Sequence, residues 1–204
     1  MSENQAIVTG GLAALGAIGL AFFIYTQSTG GAMASDDGPG PNLVIDVAGE
    51  ADGKIVIDLF PDVAPKHVAQ IVSLANSGAY NNVVFHRVID GFMAQTGDVQ
   101  YGKMGDDLSR AGQGASDLPN IPAEFSEKPF LRGVVGMARS SDPDSANSQF
   151  FIMFAAGEFL NGEYTVVGHV VEGMEVVDKI KRGNADLNGV VEDPDLMTAV
   201  AVAP

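Results

Sequence analysis

Cysteine is absent from the 204-residue chain, and basic residues are scarce. Without cysteine the protein can form no disulfide, no thiolate metal site and no cysteine nucleophile. Only 11 lysine and arginine residues stand against 26 aspartate and glutamate residues, which gives a net charge of −15. Nucleic acid and anionic membrane surfaces are therefore disfavoured as partners, because binding to phosphate requires a basic surface.

Metal-binding and cofactor motifs are also missing. The three histidines lie far apart and share no metal-ligand spacing. Asp142 and Asp144 resemble the start of a calcium loop, but Met153 occupies the position where that loop needs glutamate. Gly112 and Gly114 lack the third glycine of a dinucleotide site, and no Gly-x-Ser-x-Gly elbow is present. We therefore expect no metal and no cofactor.

The N-terminal region contains a long apolar run, Ala6–Tyr25, with no charged residue. A helix of this length spans about 30 Å, the thickness of the hydrocarbon core of a bilayer. Ala32-Met33-Ala34 resembles a signal-peptidase site, although the residues before the run include Glu3 and no basic residue. Residues 1–34 are predicted to form a hydrophobic helix that acts as an uncleaved membrane anchor or a cleaved signal peptide, with a buried helix as the third alternative.

Residues 35–41 are rich in proline and glycine and predict a linker, so that residues 42–204 form a single domain. The hydrophobic N-terminal run predicts export of this domain. We expect it to be periplasmic, either free or anchored to the inner membrane through residues 6–25.

Short alternating segments predict a mainly β domain. The predicted strands are Leu43–Val47, Lys54–Leu59, Val83–Val88, Met93–Thr96, Gly133–Met137, Phe150–Phe154, Val166–Val171 and Met197–Val202. A helix is predicted to begin near Pro65 and end before Gly78, with Val68, Ile71, Val72 and Ala75 on its buried face. A second helix is predicted over Met174–Lys181. This pattern favours an antiparallel barrel or sandwich covered by helices, with a long functional loop between Val99 and Pro122.

Uncharged side chains around one arginine form the candidate binding surface. Strand alternation places Met93 and Gln95 on one face of their strand, and Gln149 and Phe151 on one face of another. Together with Arg87 they could line a groove with an apolar floor and a hydrogen-bonding rim. The alternatives are ordinary core packing for the apolar residues and a surface salt bridge for Arg87.

Three blocks of this sequence resemble the cyclophilin-type peptidyl-prolyl cis-trans isomerases. The first block is Phe85–Asp98, the second comprises Gly136–Ser140 and Asn147–Ile152, and the third is Phe159–Gly168. The similarity runs in order from Asn42 to about Val202. It implies a closed eight-stranded antiparallel β-barrel capped by two α-helices, and an enzyme that acts on proline-containing polypeptides as a monomer.

The resemblance also implies roles for individual residues. Arg87 corresponds to the catalytic arginine. The implied proline pocket comprises Phe92, Met93, Phe151 and Leu160, and the positions that hold the substrate backbone are Gln95, Ala138 and Gln149. Arg139, Phe159 and Tyr164 complete the implied substrate-binding set.

Those last three residues depart from the commonest pattern of the family and resemble bacterial members. Phe159 stands where many eukaryotic relatives carry a cyclosporin-binding tryptophan, Tyr164 replaces a histidine, and Arg139 replaces an asparagine without taking a catalytic role. Two other functions remain possible from the sequence. One is a proline-segment binding module or chaperone with little turnover, and the other is a structural anchor subunit of a membrane complex.

Overall fold

The computed structural model describes residue 38 and residues 40–204. Their core is a nine-stranded antiparallel sheet that curls into a half-barrel. The strands are β1 (Asn42–Ala48), β2 (Gly53–Leu59), β3 (Val83–Val84), β4 (Arg87–Ile89), β5 (Met93–Thr96), β6 (Val134–Met137), β7 (Phe150–Met153), β8 (Val166–Glu172) and β9 (Leu196–Ala203). They lie in the order β3-β9-β1-β2-β8-β6-β7-β5-β4. Two α-helices, α1 (Pro65–Asn76) and α2 (Met174–Val177), accompany the sheet within the described residues.

The predicted closed eight-stranded barrel is wrong in strand number and in closure. The single predicted strand Val83–Val88 is divided at Phe85 and His86, because β3 pairs with β9 whereas β4 pairs with β5. The two parts form the opposite edges of the sheet and do not pair with each other. The segment before β9 forms backbone hydrogen bonds with Phe85 and His86, the two residues that separate β3 from β4 in the chain. There the Phe85 N–H donates to the Asp195 carbonyl at 2.9 Å, and the Val191 N–H donates to the His86 carbonyl at 3.2 Å.

The prediction of α1 is confirmed. Val68, Ile71 and Ala75 are buried, and Val72 is partly buried. In contrast, α2 ends at Val177 instead of Lys181. Beyond Val177 the N–H groups of Lys179 and Ile180 bond to carbonyls three residues back, and the Lys181 N–H donates to a carboxylate oxygen of Asp195 at 2.7 Å in place of a helical acceptor.

Strand alternation divides the hydrophobic residues between two faces of the sheet. Phe150 and Ile152 face the larger core, which also contains the buried side chains of α1. Phe151 and Met153 face a smaller cluster on the opposite side of β7, together with Met93, Phe130, Val134, Leu160 and Val166. This outer cluster is the apolar base on which the candidate site is built.

The long loop between β5 and β6 is organised by one buried carboxylate. Asp98 is 0% exposed and accepts the backbone N–H groups of Gly112 at 2.7 Å and Gly114 at 2.9 Å. It also accepts those of Gln100 at 3.1 Å and Tyr101 at 2.9 Å. Four charge-assisted hydrogen bonds hold the start and the middle of the loop together.

The predicted N-terminal hydrophobic helix lies outside the described residues, as does most of the predicted linker. Two residues near the end of the linker run beside β2, where the Gly38 N–H donates to Asp58 at 3.0 Å and the Pro41 carbonyl accepts from the Leu59 N–H at 3.1 Å. Among residues 38 and 40–204, no helix is both long and apolar enough to cross a bilayer.

Candidate functional site

A pocket of about 210 Å³ lies over the outer hydrophobic cluster. Its lining comprises Arg87, Phe92, Met93, Gln95, Ala138, Arg139, Phe151, Phe159, Leu160 and Tyr164. All ten of these residues belong to the set predicted from the sequence. The remaining member of that set, Gln149, lies beside the pocket and lines its neighbour.

One row of paired residues across four strands builds the centre of this pocket. Arg87 on β4 lies opposite Gln95 on β5, and Gln95 lies opposite Phe151 on β7. Phe151 in turn lies opposite Gly136 on β6. Residues that lie opposite each other in adjacent strands project from the same face of a sheet with neighbouring side chains. The register therefore places a cation, an amide and an aromatic ring side by side.

The glycine at the end of this row leaves space for the pocket floor. A Cβ atom on Gly136 would come within 2.5 Å of the Phe151 ring and 2.6 Å of the Phe130 ring. These two rings stack with their centroids 5.8 Å apart. The floor is thus a packed aromatic layer that a side chain at position 136 would displace.

The apolar walls are also aromatic. Tyr164 meets Phe151 edge to face at 5.9 Å, and Phe92 packs against Phe159 at 5.3 Å. Phe159 is 70% exposed and forms an apolar rim, whereas Met93 and Leu160 are buried. The pocket is therefore apolar at its floor and accessible from solvent at its edge.

Arg87 supplies a positive charge at the centre of the pocket and is held by neutral acceptors. Its Nη1 donates to Oε1 of Gln95 at 3.1 Å, and its Nε and Nη2 donate to the carbonyl and Oδ1 of Asn188 at 3.1 and 3.0 Å. Partial burial lowers the pKa of Arg87 from its ordinary value, but an arginine in a protein remains cationic. Within the described part of the chain, none of the ion pairs includes Arg87, so the alternative of a surface salt bridge is wrong there.

Hydrogen bonds connect Arg87 to the long loop through two glutamines. Nε2 of Gln95 donates to Oε1 of Gln149 at 2.9 Å, and Nε2 of Gln149 donates to the Gly114 carbonyl at 2.8 Å. A guanidinium can only donate and a carbonyl can only accept, so the two ends of this chain fix the orientation of both amides. Gln149 thus reaches the first pocket through Gln95, and its contact with a substrate backbone stays a prediction.

Arg139 and Ala138 form the rim next to the pocket. The Arg139 guanidinium lies over the Tyr164 ring at 4.4 Å and donates to the Glu163 carbonyl at 3.0 Å, so it is tethered to the protein. The Ala138 N–H donates to the Gln149 carbonyl at 2.9 Å, so a bound chain would have to use the Ala138 carbonyl instead.

A second pocket of about 430 Å³, lined mostly by glycine and polar residues, adjoins the first. The two share Gln95, Ala138 and Arg139, and the second continues along the loop residues 112–115. Together they form an elongated groove. Such a groove can hold an extended peptide with one small apolar ring in the first pocket.

Sequence reasoning did not identify Asn188 or Phe130. Asn188 lies 101 positions from Arg87 and was recognisable only as part of an Asn-Gly turn signal. Phe130 lies in a loop with no strand pattern, and its packing below Phe151 depends on the tertiary fold.

Comparison with known proteins gives a consistent result. Residues 44–202 match the family described as cyclophilin type peptidyl-prolyl cis-trans isomerase/CLD. A probable peptidyl-prolyl cis-trans isomerase of Brucella suis is 64% identical over 146 residues, which cover 71% of this chain and 74% of that protein. Peptidyl-prolyl cis-trans isomerase B of Escherichia coli K12 is 39% identical over 149 residues, covering 69% and 86%.

Solved structures resemble the same part of the chain. A cyclophilin-type isomerase of Cryptosporidium parvum, crystallised in the presence of the dipeptide Ala-Pro, matches with a TM-score of 0.67 and 25% identity, covering 80% of this chain and 99% of that one. The cyclophilin AquaCyp293 from Hirschia baltica matches with a TM-score of 0.63 and 26% identity, covering 78% and 73%.

Proposed function

The chain belongs to the cyclophilin-type peptidyl-prolyl cis-trans isomerase family, and we propose that it rotates X–Pro peptide bonds in the pocket beside Arg87. The observation that carries this proposal is the row formed by Arg87, Gln95 and Phe151, which combines a fixed cation with an apolar floor. The substrates are polypeptides that contain proline. The product is the other isomer of the same bond.

The chemistry of the reaction explains why this pocket has no need of an acid–base pair. Rotation of an X–Pro bond has a barrier of about 18–20 kcal/mol, because resonance gives the bond partial double-bond character. The uncatalysed reaction takes roughly 10–100 s at 25 °C. No proton is transferred and no covalent bond is broken, so catalysis requires only preferential binding of the twisted transition state.

The apolar floor binds the proline ring. Met93, Phe151 and Leu160 are buried and present thioether, aromatic and hydrocarbon surface to the pocket. A pyrrolidine ring seated there loses contact with water, which contributes about 25 cal/mol for each Å² of buried apolar surface. Fixing the ring allows the acyl side of the bond to rotate against it.

Arg87 provides the interaction that strengthens in the transition state. When the bond twists, resonance is lost and the prolyl nitrogen regains a lone pair that can accept a hydrogen bond. A guanidinium N–H directed at this nitrogen binds the twisted form more tightly than either planar isomer. Arginine suits this task because its charge is permanent and its fork is planar.

Gln95 has a double role in this proposal. One N–H of its amide is used by Gln149, and the amide carries a second N–H that can donate to a substrate carbonyl. Its oxygen accepts from Arg87 at 3.1 Å and thereby holds the guanidinium beside the pocket. The same side chain therefore orients the cation and the peptide.

The energy required exceeds what one hydrogen bond supplies. An acceleration of roughly 10⁵-fold corresponds to about 7 kcal/mol, whereas a hydrogen bond to a charged group contributes about 1.5–3 kcal/mol. Orientation of the chain in the groove must provide the remainder. The elongated shape formed by the two adjoining pockets supports a contribution from orientation of the bound chain in addition to the Arg87 hydrogen bond.

Exchange spectroscopy on an Ala-Pro peptide tests the proposal. We expect a catalytic amount of the protein to broaden the separate cis and trans resonances, because the exchange rate rises towards the frequency difference between them. Binding without exchange would instead identify a proline-segment binding module, and the absence of both would contradict the proposed site.

We also propose that the isomerase domain is exported. The support for this proposal is the uncharged run Ala6–Tyr25, which is followed by the small-x-small sequence Ala32-Met33-Ala34. Mass spectrometry of the protein purified from cells distinguishes the two forms of export. A mature N-terminus at Ser35 indicates a cleaved signal, an intact Met1 in the membrane fraction indicates an anchor, and an intact Met1 in the cytosol contradicts export.

A further inference from the structure

Two of the hydrogen bonds that hold Arg87 come from one residue outside the sequence motifs. Asn188 accepts from Nε of Arg87 through its backbone carbonyl at 3.1 Å and from Nη2 through its side-chain oxygen at 3.0 Å. With Gln95 on Nη1, each nitrogen of the guanidinium has an acceptor. A planar group that is held at all three nitrogens cannot rotate about its terminal bonds without breaking a hydrogen bond.

Anchoring in this way leaves the guanidinium able to act on a substrate. The other N–H of Nη1 faces the sulfur of Met93 in the pocket floor, with 4.0 Å between nitrogen and sulfur. A thioether is a weak acceptor, so a stronger acceptor in a bound peptide can replace it. Nη2 likewise retains one N–H beyond the one that it donates to Asn188.

The backbone around Asn188 is itself well fixed. Asn188 has a φ of 54° and a ψ of 36°, a left-handed conformation that asparagine and glycine tolerate better than other residues. It follows a short 3₁₀ turn, Ala185–Leu187, and the next residue, Gly189, accepts from the Val88 N–H at 2.8 Å. Arg87 and Val190 form a β-bridge. The turn is thus bonded directly to β4, the strand that carries Arg87.

The side chain of Asn188 has no other hydrogen-bonded partner in the part of the chain that the structure describes. It is solvent-exposed, so packing does not account for its presence. A left-handed position favours glycine, asparagine or aspartate, and only the last two carry a side-chain acceptor that can reach Arg87.

We propose that Asn188 is a positioning residue for the isomerase reaction, and that its side-chain oxygen holds the Arg87 guanidinium in the orientation that the twisted X–Pro bond requires. This inference rests on the proposed function of Arg87. Its effect is preorganisation: Asn188 touches no reacting atom but reduces the motion of the group that does. It therefore acts on turnover more than on binding of the ground state.

Two substitutions distinguish the effect of losing the side-chain hydrogen bond from the effect of disturbing the turn. Asn188→Gly keeps the left-handed backbone and the carbonyl acceptor but removes Oδ1. Asn188→Asp keeps both acceptors and is also tolerated in this backbone region. Asn82 is the matched control, because it has a φ of 61° and none of the hydrogen bonds of Arg87 within the described chain involves it.

We expect Asn188→Gly to lower kcat by about tenfold with KM changed by less than about twofold, as the loss of one charge-assisted orienting hydrogen bond predicts. Asn188→Asp should retain kcat within about threefold, and Asn82→Gly should retain both constants. An unchanged kcat in Asn188→Gly, or equal losses in Asn188→Gly and Asn188→Asp, would overturn the inference.

A second measurement is independent of turnover. NMR of the Arg87 Nε–H group should show faster rotation of the guanidinium in Asn188→Gly than in the wild type, while Asn188→Asp should keep slow rotation. Equal rotation in the wild type and Asn188→Gly would overturn the anchoring role. An inactive wild type would contradict the proposed function instead, and the NMR comparison would still decide whether Asn188 holds Arg87.

Discussion

Arg87 and Gln95 lie opposite each other on β4 and β5, and Nη1 of Arg87 donates a 3.1 Å hydrogen bond to Oε1 of Gln95. The bond joins two residues that are paired in the register of the sheet. Because Gln149 and the Gly114 carbonyl continue the chain of hydrogen bonds, the orientation of the Gln95 amide is fixed from both ends. The pocket therefore contains a cation whose immediate partner is neutral and oriented.

Substitution of Gln95 tests this arrangement. Gln95→Ala should lower kcat/KM by about tenfold, since it removes the acceptor for Arg87 and the amide N–H that is proposed to hold the substrate. Gln95→Glu keeps an acceptor for Arg87 but loses the donor, so it should also lose activity. Steady-state isomerase kinetics measure both, with Asn76→Ala at the exposed end of α1 as the control that should retain activity. Full activity of Gln95→Glu would show that the donor is not used.

The pocket floor should be sensitive to a single added methyl group. Gly136→Ala places a Cβ within 2.5 Å of Phe151 and 2.6 Å of Phe130, so these rings must shift. Overpacking of this kind costs about 1–3 kcal/mol of the free energy of unfolding. We expect urea denaturation to show this loss and kinetics to show a raised KM.

The control for the glycine substitution is Gly105→Ala. Gly105 has a φ of 98°, and no atom of the described chain would lie within 4 Å of a Cβ added there, so alanine introduces backbone strain without crowding the pocket. It should cost about 1–2 kcal/mol of stability and leave KM unchanged. A normal KM in Gly136→Ala would contradict the assignment of the Phe151 layer as the substrate-binding floor.

Acid should destabilise the protein through His86. Burial, partly opposed by the charge of Asp98, lowers the pKa of His86 from 6.5 to about 4. Below pH 6.5 the His86 side chain is therefore protonated in the unfolded chain but still neutral in the folded protein. The free energy of unfolding falls as the pH decreases towards 4. The difference between the two pKa values corresponds to a loss of roughly 3 kcal/mol in the free energy of unfolding.

Urea denaturation of wild type and His86→Leu between about pH 7.5 and pH 4 measures this effect. The variant should lose less stability on acidification, whatever its stability at neutral pH. A residual slope is expected, because burial also lowers the pKa values of His67 and His169. Parallel pH profiles for the two proteins would exclude His86 as the source.

Part of the candidate site followed from the strand pattern, because Arg87, Met93, Gln95 and Phe151 lie on short strands. Alternation places Met93 and Gln95 on one face, and in the structure both residues line the pocket. Phe159 and Leu160, which the family resemblance implied, also line the pocket. Periodicity was informative for Met93 and Gln95 because they lie two residues apart on one strand, whereas Phe159 and Leu160 followed only from the family resemblance.

Other features depend on tertiary pairing and were not accessible in this way. Division of the strand at Phe85 and His86 reflects a change of partner from β9 to β5, which a period-two pattern does not record. The orientation of Gln149 depends on the position of the Gly114 carbonyl, 35 residues away. Asn188 reaches Arg87 only because the turn before Val190 is bonded to β4.

Exchange spectroscopy on wild type, Arg87→Ala and Arg87→Lys tests the central claim most directly. Arg87→Ala should lower kcat by roughly 100-fold or more, because it removes the donor to the twisted prolyl nitrogen. Arg87→Lys keeps the charge but lacks the planar fork that Gln95 and Asn188 hold, so it should remain at least about tenfold below the wild type. Wild-type exchange rates in Arg87→Ala, with peptide binding intact, would contradict the account.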